Sequence, residues 1–243
     1  MRRTTLAIVV ASAVALLAPA SAQALNVYAA TSLTNVFPAL DKAPHYSFGG
    51  SNTLQLQIER GAPADVFASA SPNEAQALFR EGRCTRPVTF AVNRLVLLIP
   101  NSNPGNITSV YSLRSGGRKL SIGTAGVPIG AYTRQLLRRM RLSSILSSNT
   151  VSQQTNVGQV ASQVALGSAD AGLVYYTDGL AVKDRTKMIS LPKWAQPPVR
   201  YQICTVRRPG ADTSAAAAFI KAVTGKAGRG ALKAHGFGLP PRK

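Results

Sequence analysis

Acidic and metal-ligating side chains are scarce in this chain of 243 residues. It contains nine Asp and Glu, two His and two Cys, too few to build a metal centre from several His or Cys ligands. Pairs of carboxylates for acid–base catalysis are equally poorly supplied. After the first two dozen residues, no apolar run reaches the roughly 18 residues of a membrane-spanning helix. We therefore expect a soluble protein with little equipment for catalysis, no direct metal ligands and no cofactor.

Positive charge is abundant, with 28 Lys and Arg and a net charge of +19. Such a charge excludes an acidic, solvating chain and raises the possibility of nucleic-acid binding. The basic residues are dispersed, however, and their densest cluster, Arg138, Arg139 and Arg141, has no interleaved aromatic residues. We therefore predict a solvated basic surface that attracts anions, and no nucleic-acid partner.

The N-terminus has the pattern of a secretory signal peptide. Arg2 and Arg3 precede an apolar stretch from Leu6 to Ala18, and small residues up to Ala24 offer a cleavage site. A membrane anchor would need about 20 apolar residues, more than this stretch contains. The pattern predicts a signal peptide over residues 1–24 and a periplasmic location.

Short β-rich runs alternate with helical patterns along the rest of the chain, which predicts an α/β fold with mostly parallel strands. The apolar run from Arg94 to Ile99 and a late strand at Tyr201–Val206 bracket a second complete set of strands and helices. Two such sets joined by extended segments predict two lobes. The predicted lobes are residues 25–91 plus 203–243 and residues 92–202.

Three junctions between a strand and a helix share one design, in which a Gly or hydroxyl residue stands where the helix begins. They are Ala29–Ser32, Phe48–Ser51 and Val127–Gly130. A helix N-terminus exposes unpaired N–H groups and a partial positive charge, so it binds anions readily. Ser32 and Ser51 would each add a hydroxyl donor, or alternatively serve as ordinary N-caps. Nothing local indicates that the three junctions lie together.

Sequence motifs of enzymes are missing. The chain has no Gly-x-Ser-x-Gly elbow, no phosphate-binding Gly-x-x-x-x-Gly-Lys loop and no His-Glu-x-x-His. His45 and His235 are predicted to be structural or surface residues, and Asp170 to shape a turn. No catalytic residue is assigned, and a secreted serine hydrolase is the less favoured alternative.

Several stretches, taken together and in order, carry a family resemblance. They are residues 29–35 (AATSLTN), 48–54 (FGGSNTL) with Gln57-Ile58, 61–67 (GAPADVF), Asn93 with Leu95-Val96 before Pro100, Val127-Pro128 with Gly130 and Tyr132, 169–175 (ADAGLVY) and 235–237 (HGF). This set resembles the periplasmic molybdate-binding proteins of ABC importers and covers almost the entire mature chain. The resemblance implies a two-lobed type II periplasmic-binding fold, with an oxyanion held in the cleft between the lobes.

The resemblance also implies five ligand-binding residues. Ser32 and Ser51 fall on the hydroxyl donors of the first lobe. Ile129 and Val157 fall on backbone N–H donors of the second lobe, and Tyr175 falls on a hydroxyl that completes the site. The chain departs from the family at Asn52, where a second hydroxyl is common, and at Ile129, where Ala is common.

Chemistry supports an anion as the ligand. A fully deprotonated tetrahedral dianion only accepts hydrogen bonds, so its site needs only donors, and none of the five positions is Asp or Glu. A protonated phosphate would need an acceptor, whereas sulfate has the same charge and shape as molybdate. We therefore expect a monomer that captures molybdate or tungstate and delivers it to the membrane permease of an ABC importer. A binding protein for sulfate or another small anion is the alternative.

Cys84 and Cys204 are the two cysteines of the chain. An oxidising compartment permits a disulfide between them, so they are a candidate pair. The bond would close a loop of more than one hundred residues and stabilise the fold by about 4 kcal/mol in the chain-entropy model.

Overall fold

The computed structural model describes residues 24–241, in which ten strands form two five-stranded sheets. The predicted signal peptide, apart from Ala24, lies outside the described residues. The strands are β1 (Asn26–Ala30), β2 (His45–Gly49), β3 (Val66–Ser69), β4 (Val88–Asn93), β5 (Leu95–Pro100), β6 (Lys119–Gly123), β7 (Thr150–Gln154), β8 (Ala171–Tyr175), β9 (Thr186–Ser190) and β10 (Val199–Thr205).

Helices cover the sheets. Within residues 24–241 they are α1 (Phe37–Leu40), α2 (Ser51–Glu59), α3 (Pro72–Arg80), α4 (Pro128–Arg139), α5 (Ile145–Ser148), α6 (Val157–Ala165), α7 (Tyr176–Ala181), α8 (Thr213–Thr224) and α9 (Lys226–Ala234), with short 3₁₀ helices at Thr31–Leu33, Val110–Ser115 and Lys193–Ala195. None of these described helices has the length and hydropathy needed to cross a bilayer.

Each sheet combines parallel strands with one strand that runs the opposite way. The first has the order β2-β1-β3-β10-β4, and β10 is antiparallel to both of its neighbours. The second has the order β7-β6-β8-β5-β9, and β5 is antiparallel to both of its neighbours. The predicted α/β fold is confirmed, and four of the five strands in each sheet run in the same direction, as the expectation of mostly parallel strands requires. The exceptions are β5 and β10, because each carries the chain in from the other lobe. Each therefore enters its sheet against the direction of the strands beside it.

The burial of a strand decides whether it can be recognised from the sequence pattern. All six residues of β5 (Leu-Val-Leu-Leu-Ile-Pro) are buried, as expected for a strand with a neighbour on each side and helices over its faces. Strands β4, β7 and β9, which the sequence pattern did not predict, lie at sheet edges. Edge strands contact solvent and include polar residues, so their apolar pattern is weak.

The chain passes between the lobes twice, at Arg94 and within residues 191–198. The side chain of Gln196 joins these two crossings, because it accepts from the backbone N–H of Leu95 and donates to the Leu95 carbonyl, both at 2.8 Å. The predicted boundaries at 91/92 and 202/203 fall inside β4 and β10, which belong whole to the first sheet. Each crossing therefore lies at the end of a strand, where an edge strand and a bulged strand were hard to delimit from sequence.

Cys84 and Cys204 lie together in a small apolar cluster of the first lobe, next to Phe67 and Val206. Both are buried and free in the structure, so the predicted disulfide is not formed in it. A hydrogen bond with the Cys84 thiol, together with burial, raises the pKa of the Cys204 thiol well above its ordinary value. The Cys204 thiol therefore stays protonated. The bridge between Cys84 and Val206 brings the two cysteines close together, and a disulfide in the exported protein stays a prediction.

Thiol counting tests this pair. We expect the protein exported to an oxidising compartment to show no reactive thiol after denaturation, and two after reduction, because the two cysteines lie in one buried cluster. Reduction should lower the free energy of unfolding by up to about 4 kcal/mol. Protein made in a reducing cytoplasm is the control, with two thiols at the outset. Two reactive thiols in the exported protein would contradict the bond.

Candidate functional site

A small cavity lies between the two lobes. Its lining residues are Ala30, Thr31, Ser32, Gly49, Gly50, Ser51, Ala70, Val127, Pro128, Ile129, Asn156, Val157 and Tyr175. The cavity volume is about 20 Å³, close to the roughly 10–15 Å³ that a single water molecule needs. Pockets for drug-sized ligands measure about 300–1,000 Å³. The cavity therefore suits one small ion and excludes a sugar, a peptide or a nucleotide.

Three helix N-termini meet at this cavity. Ser51 is the first residue of α2, Ile129 the second residue of α4 after Pro128, and Val157 the first residue of α6. The N–H groups of the first helical residues have no partner inside the helix. They add to the positive end of each helix dipole, so three partial positive charges face one point.

The two predicted serines each have a hydrogen-bond partner within the protein. The backbone N–H of Ala70 donates to Ser51 Oγ at 3.1 Å, and the hydroxyls of Ser32 and Tyr201 are 2.8 Å apart. Neither serine caps its own helix, so the N-cap interpretation is wrong. Because Ser51 Oγ already accepts, its own proton is free for a ligand in the cavity.

Tyr175 stands at the end of β8 with its side chain 1% exposed. Its hydroxyl has no hydrogen-bond partner among the described residues. Burial is the main cause that raises the pKa of Tyr175 well above its ordinary value, so the phenol stays protonated. A buried hydroxyl without a partner costs free energy, and a ligand that accepts its proton removes that cost.

The cavity is electrically neutral in its side chains. None of its lining residues within the described chain is charged, and no group of three or more His, Cys, Asp or Glu in residues 24–241 is placed to hold a metal ion. Asp178, just beyond Tyr175 in the chain, is buried, and burial raises its pKa to about 7. Burial therefore disfavours the ionised form of this carboxyl, which limits the negative charge behind the site.

The lobes touch across the cavity. A Cβ added to Gly158 of the second lobe would lie 2.6 Å from the methyl group of Thr31 in the first lobe. A Cβ added to Gly50 would lie far inside van der Waals contact of the Thr155 carbonyl oxygen. These contacts leave no room for a side chain at either glycine, so the structure has its cleft closed.

All five residues predicted from the sequence line this one cavity, and their role in anion binding stays a prediction. Thr31 and Asn156 also line it, and the buried Thr31 hydroxyl lacks a partner among the described residues. The sequence analysis missed both residues, although each stands directly before a residue that it named. It also missed Tyr201, which lies 169 residues from Ser32 and has no local signal.

The other residues considered from the sequence lie elsewhere. Asp170 Oδ2 accepts from the backbone N–H of Lys119 at 2.8 Å, and His235 Nδ1 lies 2.8 Å from the carbonyl oxygen of Ala231. His45 is an exposed residue at the start of β2. None of the three lines the cavity, in agreement with their predicted structural or surface roles.

Comparisons with known proteins agree with this architecture. The sequence model of the family described as bacterial extracellular solute-binding protein matches residues 8–238. The molybdate-binding protein ModA of Mycobacterium tuberculosis is 32% identical over 229 residues, which cover 90% of this chain and 86% of the relative. The predicted resemblance to molybdate-binding proteins is therefore confirmed.

Solved structures share the fold. The periplasmic molybdate-binding protein of Azotobacter vinelandii superposes with a TM-score of 0.77 at 25% identity, covering 89% of this chain and 100% of that one. The sulfate-binding protein SubI of Mycobacterium tuberculosis gives a TM-score of 0.74 at 14% identity, covering 88% and 86%. The second likeness shows the fold alone.

Proposed function

The chain belongs to the bacterial extracellular solute-binding protein family, and on that basis we propose that it binds molybdate or tungstate and delivers the anion to an ABC importer. Its place of work is the periplasm, its partner is the membrane permease of that importer, and it acts as a monomer without catalysis or a cofactor. The ligand itself carries the metal, held through its oxygen atoms.

The observation that carries the proposal is a small cavity between the lobes, lined by residues that supply hydrogen-bond donors. The hydroxyl residues Ser32, Ser51 and Tyr175 and the helix-start residues Ile129 and Val157 line a volume of about 20 Å³. A dianion with four deprotonated oxygens satisfies all of these donors at once. No carboxylate lines the cavity to accept the proton of hydrogen phosphate.

Closure of the cleft brings the donors of the two lobes together around the ligand. The first lobe contributes Ser32 and Ser51, and the second contributes Ile129, Val157 and Tyr175, so only the closed form offers the full set of donors. A ligand that prefers one form shifts the protein toward it. Binding to the folded state also stabilises that state by mass action, by about 4 kcal/mol at a ligand concentration of 1,000 Kd.

Titration calorimetry with molybdate, tungstate, sulfate and phosphate tests the function. We expect molybdate or tungstate to bind tightest, because a smaller anion leaves donors unpaired at about 1–3 kcal/mol each. Two unpaired donors would weaken sulfate binding by roughly 30-fold or more. Sulfate binding as tightly as molybdate would make this a sulfate-binding protein. Ester hydrolysis without tight anion binding would favour an enzyme.

A further inference from the structure

Tyr201 lies directly behind Ser32 and is fully buried in β10. Its ring packs against Tyr175 at a centroid distance of 5.9 Å and against Phe237 at 5.4 Å, both edge to face. Its hydroxyl oxygen lies 2.8 Å from Ser32 Oγ and 3.4 Å from Asn93 Nδ2. Tyr201 is not one of the residues that line the cavity, so it meets the site only through Ser32.

The orientation of the Asn93 amide is set by its surroundings. Its Oδ1 accepts from the backbone N–H of Arg94 at 2.9 Å, so its Nδ2 faces the other way. The two Nδ2 hydrogens then point to Tyr201 Oη and to Thr177 Oγ1, the latter at 3.0 Å. The Thr177 hydroxyl in turn donates to Asp178 Oδ2 at 3.3 Å. The donor and the acceptor are therefore assigned for each of these hydrogen bonds, from Asn93 to Asp178.

Counting protons fixes the direction at Ser32 as well. Asn93 Nδ2 has only hydrogens to offer, so Tyr201 Oη is the acceptor in that contact. Among the described residues, Tyr201 Oη makes one other hydrogen bond, to Ser32, so its single proton goes to Ser32 Oγ. Burial is the main cause that raises the pKa of Tyr201 well above its ordinary value, so that proton is always present. The proton of Ser32 is then left for the cavity.

We propose that Tyr201, oriented by Asn93, is a positioning residue that locks the Ser32 hydroxyl as a donor to the bound anion. The inference rests on the proposed function, and it adds a source of selectivity beyond cavity size. A free serine hydroxyl can either donate or accept, and would tolerate a protonated oxyanion such as hydrogen phosphate. With Tyr201 donating to it, Ser32 has no acceptor for its own proton among the described residues other than the anion. Accepting a proton from a protonated anion would leave the Ser32 proton unpaired, so the site favours the deprotonated anion.

Tyr201→Phe tests the lock while keeping the buried ring. We expect molybdate affinity to fall about tenfold, as for the loss of one oriented hydrogen bond. We also expect the ratio of molybdate to phosphate affinity at neutral pH to shrink by a further severalfold, with phosphate measured by competition. A purely structural role would weaken both anions equally. Tyr46→Phe is the matched control, since among residues 24–241 the hydroxyl of that tyrosine in β2 donates to the backbone carbonyls of Phe37 and Asp41 and makes no other hydrogen bond.

Combining Tyr201→Phe with Ser32→Ala separates positioning from other effects. If Tyr201 acts through Ser32, the tyrosine change should alter molybdate affinity by less than about twofold once the serine hydroxyl is gone. An equal loss in both backgrounds would overturn the proposal, as would an unchanged ratio of molybdate to phosphate in Tyr201→Phe. Thermal unfolding without anion checks that each variant folds. If the unaltered protein binds no molybdate, it is the proposed function that fails.

Discussion

Gly50→Ala is expected to lower molybdate affinity by at least about 100-fold while both lobes stay folded. The added methyl group would collide with the Thr155 carbonyl oxygen of the opposite lobe, and a backbone atom cannot turn aside as a side chain can. The cleft then stays open, and the donors of Ile129, Val157 and Tyr175 are lost together. Three lost donors at about 1 kcal/mol each give the expected factor. Calorimetry measures the affinity, and small-angle scattering shows whether molybdate still compacts the protein.

Gly230→Ala is the matched control. Gly230 lies in α9, and a Cβ there would meet no heavy atom within 4 Å. Its replacement should leave the affinity unchanged and raise the free energy of unfolding by about 0.5–1 kcal/mol, the helix preference for Ala over Gly. Gly50→Ala with full affinity and normal compaction would show that the closed cleft is not the binding form.

Tyr175→Phe should weaken molybdate binding by about 10- to 100-fold without lowering the stability of the ligand-free protein. The phenol hydroxyl has no partner among the described residues, so its removal breaks no hydrogen bond within them. Only the bound anion loses a donor, at about 1.5–3 kcal/mol for a hydrogen bond to a charged group. Calorimetry gives the affinity for molybdate, and denaturant unfolding of the same preparation gives the free energy of unfolding.

Ser51→Ala should weaken molybdate binding similarly, but it also leaves the Ala70 N–H without its acceptor.

Arg138→Gln is the electrostatic control for these changes. Arg138 is exposed near the end of α4 and does not line the cavity. Removing its charge should change the salt dependence of the association rate and leave the affinity at high salt nearly unaltered. Lost binding in Arg138→Gln, with normal binding in Tyr175→Phe and Ser51→Ala, would place the anion at another site.

The sequence predicts the residues that line the cavity better than it predicts the residue that lies behind them. Ser51 and Ile129 follow strand ends at junctions that a linear pattern reveals, and the family resemblance adds Val157 and Tyr175. Tyr201 meets Ser32 only because β10 returns from the second lobe into the middle of the first sheet. A contact across 169 residues depends on the strand order, which no local pattern contains.

The same limit applies to the fold. Central strands such as β5 are apolar throughout and easily recognised. The edge strands β7 and β9 have exposed polar positions, and β4 has half-buried ones. The sequence does not reveal that β5 and β10 run against their neighbours, because they belong to no local strand–helix–strand unit. The proximity of Cys84 and Cys204 likewise follows from the antiparallel bridge between Cys84 and Val206, which sequence spacing does not show.

The division of the donors between the lobes has a kinetic consequence. An arriving anion first meets an open cleft, where one lobe offers it only part of its hydrogen bonds, and the basic surface attracts every dianion alike. Encounter rates should therefore be similar for molybdate, tungstate and sulfate. The anions differ only after the cleft has closed, because each keeps it closed for a different time. Selectivity would then be a matter of residence time, and a permease that recognises the shut protein would receive mainly the anions that hold it longest.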